Sequence, residues 1–147
     1  MGVDRSPAAL VTARDNARLN GVADRAAFVA SDWAAALDGR FDLLVSNPPY
    51  IPAASIAGLD PEVSRHDPAA ALDGGPDGLD AYRAILDDAP RLLAPEGRLV
   101  LEIGYDQAES VPALGAVRGF PPPILARDLG GRPRALTFQA QASRTSS

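Results

Sequence analysis

A short apolar run that two prolines bring to an end constrains the fold of this chain more than any other sequence feature. Residues Phe41–Ser46 are almost continuously apolar, which is typical of a strand that is covered on both faces in a largely parallel sheet. Asn47-Pro48-Pro49-Tyr50 follows at once and is called the 47–50 segment below. Because a proline has no N–H to donate to a strand ladder, the strand ends there and leaves a rigid polar segment at its carboxyl end.

Apolar strands alternate with helices along the rest of the chain. The residue pattern predicts further strands at residues 1–4, 26–30, 98–103, 122–127 and 134–140, the last two as a hairpin, and helices at residues 7–19, 79–93 and 108–117. Ser6-Pro7 marks the start of the first helix and Asn20-Gly21 its end. We also expect a helical turn at residues 34–37, a turn at 94–97 and a long loop with one helical turn at 51–78. This alternation predicts an α/β fold with an open, mostly parallel sheet and helices on both faces.

The composition excludes several kinds of catalytic and metal site. The 147 residues include no Cys, no Lys and one His, and 14 Arg against 19 Asp and Glu give a net charge of −5. Cysteine-ligated zinc, a thiolate nucleophile and Schiff-base chemistry are therefore excluded, and His66 alone cannot build a multi-histidine metal centre. The acidic balance argues against a protein that holds nucleic acid mainly through charge, and no apolar run approaches the roughly 20 residues of a membrane span. We expect a cytoplasmic monomer without a metal.

The 47–50 segment carries the clearest chemistry in the sequence. Two prolines fix φ and remove two N–H groups, so the Pro48 carbonyl is held rigidly, and the side chain of Asn47 offers a second acceptor. Two fixed acceptors side by side suit a planar NH₂ group, and Tyr50 adds an aromatic face. A rigid turn with a buried tyrosine is the purely structural alternative. Ligands of open sheets lie beyond the carboxyl ends of the strands, where Asp4 and Asp32-Trp33 are also expected.

These residues resemble a known signature. Residues 46–51, Ser-Asn-Pro-Pro-Tyr-Ile, resemble the signature of class I methyltransferases that methylate amino groups with S-adenosylmethionine. The surrounding sequence resembles the HemK/PrmC family, the N5-glutamine methyltransferases of peptide-chain release factors, and this resemblance covers residues 3 to about 138. The blocks that carry it are Asp32-Trp33, Pro61-Glu62-Val63, Asp67-Pro68, Ala71-Leu72-Asp73-Gly74-Gly75, residues 77–83, and Leu101-Glu102-Ile103-Gly104 with Gln107.

The resemblance implies S-adenosylmethionine as the cofactor of a Rossmann-like sheet. Asp4 would bind the ribose hydroxyls, since a carboxylate accepts from two vicinal hydroxyls; an Asx-type turn before the first helix is the structural alternative. Asp32 and Trp33 would flank the adenine, with Asp32 near its amino group, although Trp33 fits an ordinary core position equally well. Asn47 is also expected to contact the cofactor.

The resemblance further implies that the substrate and partner is a peptide-chain release factor, methylated on a glutamine amide nitrogen for translation termination. The whole 47–50 segment (Asn47, Pro48, Pro49 and Tyr50) would bind that amide. Asn47 and the Pro48 carbonyl would each accept one N–H, which orients the nitrogen for attack on the sulfonium methyl. Because adenine-N6 DNA methyltransferases share the four-residue signature, such an enzyme stays an alternative, and a non-catalytic remnant is another.

Residues around this predicted site receive more modest roles. Glu102, Gly104 and Gln107 are expected to shape the site, and His66 to lie at the surface or to pack in the loop. Residues 51–78 could close over the docked glutamine. Gly74-Gly75 belongs to this substrate-side loop and does not replace a cofactor loop.

The resemblance also implies an incomplete domain. Family members carry a first strand and a glycine-rich cofactor loop roughly 20 residues before the ribose-binding acid, and an N-terminal helical domain that contacts the release factor. Here Asp4 is only the fourth residue. We therefore expect residues 1–140 to be a partial methyltransferase domain and 141–147 a frayed polar tail. Such a chain is expected to bind the cofactor weakly or not at all by itself.

Overall fold

The computed structural model describes residues 1–58 and 69–140 of the chain. These residues belong to two compact units, one from Met1 to Gly39 and one that begins at Arg40. Both units contain strands and helices in alternation, as predicted. The expected frayed tail at 141–147 lies outside the described residues. Among the described helices, none combines the length and the apolar character needed to cross a bilayer.

The first unit is a two-stranded parallel sheet with one long helix. Strand β1 (Gly2–Asp4) pairs with β2 (Phe28–Ala30), and α1 (Pro7–Leu19) lies between them in sequence. The predicted caps of α1 are confirmed: the Ser6 Oγ accepts from the Ala9 N–H at 3.3 Å, and Gly21 has a φ of 65°. Strand β2 begins two residues later than predicted, after a short 3₁₀ turn. Residues 34–37 form hydrogen-bonded turns instead of the predicted helical turn.

The second unit is a four-stranded mixed sheet. Its strands are β3 (Phe41–Ser46), β4 (Leu93–Glu102), β5 (Ile124–Arg127) and β6 (Pro133–Gln139), in the spatial order β3-β4-β6-β5. β3 and β4 are parallel, whereas β6 runs antiparallel to both β4 and β5. The predicted hairpin is thus confirmed, and it introduces the antiparallel pairs that make this sheet mixed.

The described residues of the second unit form four helices: α2 (Ala53–Ile56), α3 (Ala69–Leu72), α4 (Asp80–Leu92) and α5 (Ser110–Val117). The described parts of the long loop predicted at 51–78 contain two short helices, where one helical turn was predicted. Helix α4 buries Tyr82, Leu86 and Ala89, spaced three and four residues apart as the amphipathic pattern predicts. They form one core with residues of the sheet, of α5 and of the segment after α5, namely Leu93, Leu99, Leu101, Ile103, Val111, Phe120, Leu136 and Phe138.

Strand β3 differs from its prediction on one face. Leu44 packs against the core, but Leu43 is 57% exposed and Val45 is 69% exposed. The prediction that both faces are covered is therefore wrong for β3. In the described sheet, β3 is an edge strand with β4 as its neighbour, and an apolar run cannot indicate which other parts of a protein cover its faces.

The predicted turn at residues 94–97 lies inside a strand. Phe41 is paired with Leu93 and Leu43 with Arg98, so the intervening residues of β4 form a bulge. Glu96 has a φ of 65°, a conformation that costs a residue with a side chain about 1–2 kcal/mol. The prediction located the irregularity correctly, but β4 continues through it.

Candidate active site

Asp4 ends strand β1 and its side chain forms a local turn. Asp4 Oδ1 accepts the backbone N–H of Ser6 at 2.7 Å, which is the Asx-type turn considered as the structural alternative. The side chain is exposed, and a carboxylate has acceptor positions beyond the one that this bond occupies. The turn orients the carboxylate, and its role toward a ribose stays a prediction.

Asp32 and Trp33 follow the neighbouring strand on the same edge of the first unit's sheet. Ala30, the last residue of β2, is paired with Asp4, and the Ser31 N–H donates to the Asp4 carbonyl at 3.2 Å. Asp32 is exposed and Trp33 is half-buried. The structure therefore brings both acids and the indole to the carboxyl ends of two adjacent parallel strands, as predicted.

The turn that carries Trp33 has a strained backbone and is stabilised by a hydrogen bond to a neighbouring side chain. Trp33 has a φ of 48°, which is rare for a bulky residue and typical of functional sites. The buried Ser31 stabilises this turn, because its Oγ accepts the Ala36 N–H at 2.9 Å. The sequence reasoning missed Ser31, although a hydroxyl directly after an apolar strand is a recognisable signal for such a bond.

This edge of the first unit has the hydrogen-bond acceptors and the apolar face that a nucleoside needs. Two exposed carboxylates offer acceptors for hydroxyl and amino hydrogens, and the indole offers an apolar face. The side chains of Asp4, Asp32 and Trp33 thus suit the ribose and adenine of S-adenosylmethionine in chemical character.

The 47–50 segment begins where β3 ends in the second unit. Ser46, the last residue of β3, is paired with Leu101 of β4. Asn47 is exposed, Pro48 is buried, and Pro49 and Tyr50 are half-buried. The Asn47 side chain is thus accessible at the carboxyl end of a parallel strand, where it was predicted.

The segment continues into a bridge with the glycine-rich turn before α4. The Ile51 N–H donates to the Leu72 carbonyl at 3.1 Å and the Gly74 N–H to the Ile51 carbonyl at 2.9 Å. A Cβ at Gly78, whose φ is 75°, would overlap the Tyr50 carbonyl oxygen, and one at Gly74 would lie 2.8 Å from the Gly78 Cα. These glycines therefore let two stretches of backbone touch, a role that the sequence did not reveal.

The two described ends of the predicted closing loop are hydrogen-bonded to each other through this bridge. Its middle, residues 59–68, lies outside the part of the chain that the structure describes. That range includes Pro61-Glu62-Val63, His66 and Asp67-Pro68. Closure over a substrate therefore stays a prediction.

Gln107 links the 47–50 segment to the end of β4. Its Nε2 donates to the carbonyls of Tyr50 and Gly78, both at 3.1 Å. Its Oε1 accepts the Gly104 N–H at 3.0 Å and lies 3.1 Å from the Tyr82 hydroxyl. The shaping role predicted for Gly104 and Gln107 thus corresponds to a specific network of hydrogen bonds.

Tyr82 is a member of this network that sequence reasoning treated only as a position on an apolar helix face. Its hydroxyl proton is shared between the Glu102 carbonyl at 3.0 Å and Gln107. Burial raises the pKa of the Tyr82 hydroxyl well above its usual range, so it remains a neutral donor. Since a buried tyrosine hydroxyl needs a hydrogen-bond partner, the presence of a tyrosine on the apolar face of this helix was a signal for such a bond.

The likeness of this chain to known proteins extends over most of its length. Residues 1–115 match the family described as "Methyltransferase domain". The chain is 50% identical to the release factor glutamine methyltransferase of Rhodospirillum rubrum over 143 residues, which are 97% of this chain and 44% of that protein. It is 49% identical to the protein of the same name from Agrobacterium fabrum over 139 residues, 95% of this chain and 48% of that protein. The chain spans about half the length of these curated relatives.

Solved structures share the architecture at lower sequence identity. The ribosomal protein L11 methylase from Lactobacillus delbrueckii subsp. bulgaricus has a TM-score of 0.65 and 22% identity, with 95% of this chain and 56% of that chain covered. A methyltransferase from Pyrococcus furiosus has a TM-score of 0.62 and 17% identity, with 93% and 60% covered. At these identities the likeness concerns the fold alone, and it confirms the predicted α/β architecture.

Proposed function

The chain belongs to the methyltransferase domain family, whose class I, Rossmann-like fold was predicted for it, and from that premise we propose that it methylates a glutamine side-chain amide nitrogen of a peptide-chain release factor. The observation that carries the proposal is the 50% identity to a release factor glutamine methyltransferase over 97% of this chain. The 47–50 segment supports it independently, because it supplies acceptors for an NH₂ group. We propose that the reaction takes place in the cytoplasm and that the chain acts as a monomer.

Asn47 and Pro48 would activate the substrate by orienting it. An amide nitrogen is a poor nucleophile because its lone pair is delocalised into the carbonyl group. Acceptance of one N–H by the Asn47 side chain and of the other by the Pro48 carbonyl would hold the nitrogen with its developing lone pair in one direction. Orientation and preorganised acceptors are then the contribution of the protein. Pro49 and Tyr50 would complete the wall against which the amide lies.

Asp4, Asp32 and Trp33 would hold the cofactor, and Asn47 would contact it. When bound, S-adenosylmethionine supplies an electrophilic methyl group on a sulfonium. Asp4 would accept from the ribose hydroxyls, Asp32 from the adenine amino group, and Trp33 would pack on the base. Titration calorimetry with S-adenosylhomocysteine tests this assignment. Measurable binding contradicts a non-catalytic remnant, whereas absence of binding fits both a remnant and the weak binding expected of a partial domain.

Adenine-N6 methylation of DNA is a second candidate because Asn47 and Pro48 offer the same two acceptors to an exocyclic amino group. The net charge of −5 disfavours it, since a DNA-binding surface needs positive charge. Transfer of a radiolabelled methyl group to a release factor and to an adenine-containing duplex, measured side by side, decides between the two. We expect label in the protein and none in the DNA.

Asn47→Ala tests the proposed chemistry most directly. Loss of one preorganised hydrogen-bonding group is expected to lower the transfer rate at saturating release factor by about 10²-fold or more. The circular dichroism spectrum should stay unchanged because Asn47 is exposed. Asn16→Ala, at an exposed position of α1, is the matched control and should keep the parent rate. Full activity of Asn47→Ala would show that the mechanism is wrong.

A further inference from the structure

We propose that Gln107 is the positioning residue of the 47–50 segment, which it holds against the end of β4 and against the turn at Gly78. The inference deepens the proposed function and rests on it, because the position of the segment matters for catalysis only if the segment binds the substrate amide. Gln107 would not touch the substrate itself. It would act through the backbone of Tyr50.

The hydrogen bonds of Gln107 allow one orientation of its side chain. The two partners of Nε2 are the carbonyl oxygens of Tyr50 and Gly78, which can only accept. On the other side of the amide, the Gly104 N–H can only donate to Oε1. Both donors and both acceptor positions of a primary amide are thus engaged, and the residue is only 6% exposed.

The 47–50 segment depends on such external bonds. Pro48 and Pro49 have no N–H, so the middle of the segment donates no backbone hydrogen bond of its own. Its near end is fixed by the pairing of Ser46 with Leu101 in β4. Its far end is fixed by the bond from Gln107 to the Tyr50 carbonyl at 3.1 Å. The Pro48 carbonyl therefore lies between two anchors, and both belong to β4 or to the turn that follows it.

Gln107 also ties the glycine-rich turn to the same point. The Gly78 carbonyl shares Nε2 with the Tyr50 carbonyl, and the backbones of these two residues are in contact. One side chain thus sets the distance between the end of the 47–50 segment, the turn before α4 and the end of β4. Displacement of that side chain would move the amide acceptors without removing either of them.

Gln107→Glu is the substitution that isolates this role. It keeps the size of the side chain but directs an oxygen toward the carbonyls of Tyr50 and Gly78. Protonated, the new carboxyl still donates one bond; ionised, it only repels both carbonyls. Burial raises the pKa of such a carboxyl, and so do the facing carbonyl oxygens of Tyr50 and Gly78. The acidic side chains of Glu102 and Asp106 act in the same direction, as they do on the neighbouring Tyr82 hydroxyl. The Gly104 N–H and the Tyr82 hydroxyl, which donate to the other oxygen, favour the ionised form. The variant should therefore work better at low pH than at high pH.

The test is the turnover number for methyl transfer to a release factor between about pH 6 and about pH 8, expressed as a ratio to the unsubstituted chain. For Gln107→Glu we expect this ratio to fall about tenfold or more across the range, toward the loss of order 10² that a misplaced reacting group causes. Tyr82→Phe is the control, because it removes a bond to Oε1 and leaves both Nε2 bonds. Its ratio should not change with pH. A ratio for Gln107→Glu that stays near one at every pH would overturn the inference and leave the proposed function standing.

A measurement that does not depend on activity separates failure of the inference from failure of the proposed function. The NMR signal of the Asn47 side-chain NH₂ should shift with pH in Gln107→Glu and stay constant in Tyr82→Phe, although neither variant changes Asn47. A shift in an inactive chain would support the positioning role and contradict the proposed function. An Asn47 signal that does not respond would overturn the positioning role.

If circular dichroism shows that Gln107→Glu unfolds when its carboxyl ionises, the unsubstituted chain provides the test. The Gln107 NH₂ protons, bonded to two carbonyls, should exchange with water at least about tenfold more slowly than those of the exposed Gln139. Equal exchange rates would overturn the proposal.

Discussion

Gly78 shows how a single residue without a side chain determines where the 47–50 segment lies. Its φ of 75° is in the left-handed region that glycine adopts freely. Its Cα hydrogen faces the Tyr50 carbonyl oxygen, where a Cβ would overlap. Both constraints exclude residues larger than glycine at position 78. Together with the hydrogen bond from Gln107, they fix the position of the Tyr50 backbone.

Gly78→Ala should therefore be more costly than a glycine substitution that meets only one of these constraints. The left-handed conformation costs alanine about 1–2 kcal/mol, and the overlap adds about 1–3 kcal/mol of overpacking. Gly131→Ala is the matched control in the same unit, because Gly131 has a φ of 79° and no atom near its Cβ position. Urea unfolding of both variants measures the difference. Equal losses would mean that the contact with Tyr50 is relaxed at no cost.

Among the elements, the turn between α3 and α4 is stabilised in part by its own carboxylates. Asp73 Oδ1 accepts the Gly75 N–H at 2.9 Å, and Asp77 Oδ1 accepts the Leu79 N–H at 3.1 Å. Arg83 then bonds Asp77 at 2.6 Å from the first turns of α4. A stretch rich in glycine and aspartate thus becomes an ordered support for the candidate site, because its acidic side chains bond its own backbone.

We expect the Asp77–Arg83 ion pair to stabilise the fold to a degree that depends on pH. The hydrogen bond from Arg83 holds the pKa of Asp77 below its ordinary value of 3.8. Its ionised form therefore stabilises the fold above about pH 4, and this contribution is lost as the pH falls through the lowered pKa. Thermal unfolding should show Asp77→Asn less stable than the parent chain at neutral pH, with the difference shrinking below about pH 4.

Arg83→Gln and the double variant complete a cycle for this pair. Because either substitution removes the same bond, the two losses of stability should add to more than the loss in the double variant. The idea of a coupled pair would be contradicted if the two losses of stability summed to the loss in the double variant at every pH.

At the scale of the whole molecule, the two units differ in how much apolar surface they bury. The described residues up to Gly39 bury the hydrophobic side chains of Leu10 and Ala17. The described residues of the second unit bury a core of eleven side chains that joins α4 and α5 to β4 and β6. Since burial of apolar surface is the main favourable contribution to folding, local stability should differ between the two units.

Hydrogen exchange tests this difference. Backbone amides of Leu99 and Leu101 in β4 should exchange at least about tenfold more slowly than those of Gly2 and Ser31 in the first unit, which donate to the carbonyls of Ala27 and Asp4. β4 is parallel to β3, as β1 is to β2, and it also pairs antiparallel with β6 on its other side, which adds to its expected protection. Equal protection in β1 and β4 would show that the chain opens as one cooperative unit.

Local rules allowed the sequence by itself to determine most of the elements and the place of the 47–50 segment. Proline geometry ended β3, Ser6 and Gly21 delimited α1, and a helical period located α4, because each of these signals acts within a few residues. The resemblance to glutamine methyltransferases rests on equally local blocks, which is why the comparisons confirm it.

Only the tertiary structure decided what holds the candidate site together and which surfaces stay open. Gln107 bonds Tyr50, 57 positions away in the sequence, and Gly78, 29 positions away. Hydrophobic periodicity cannot predict which of such distant residues will meet, because that depends on the path of the loops between them. The exposed face of β3 was mispredicted for the same reason, because an apolar strand has the same sequence pattern whether or not a neighbouring element covers it. Contacts between distant residues depend on how the elements pack, and packing is a property of the folded chain.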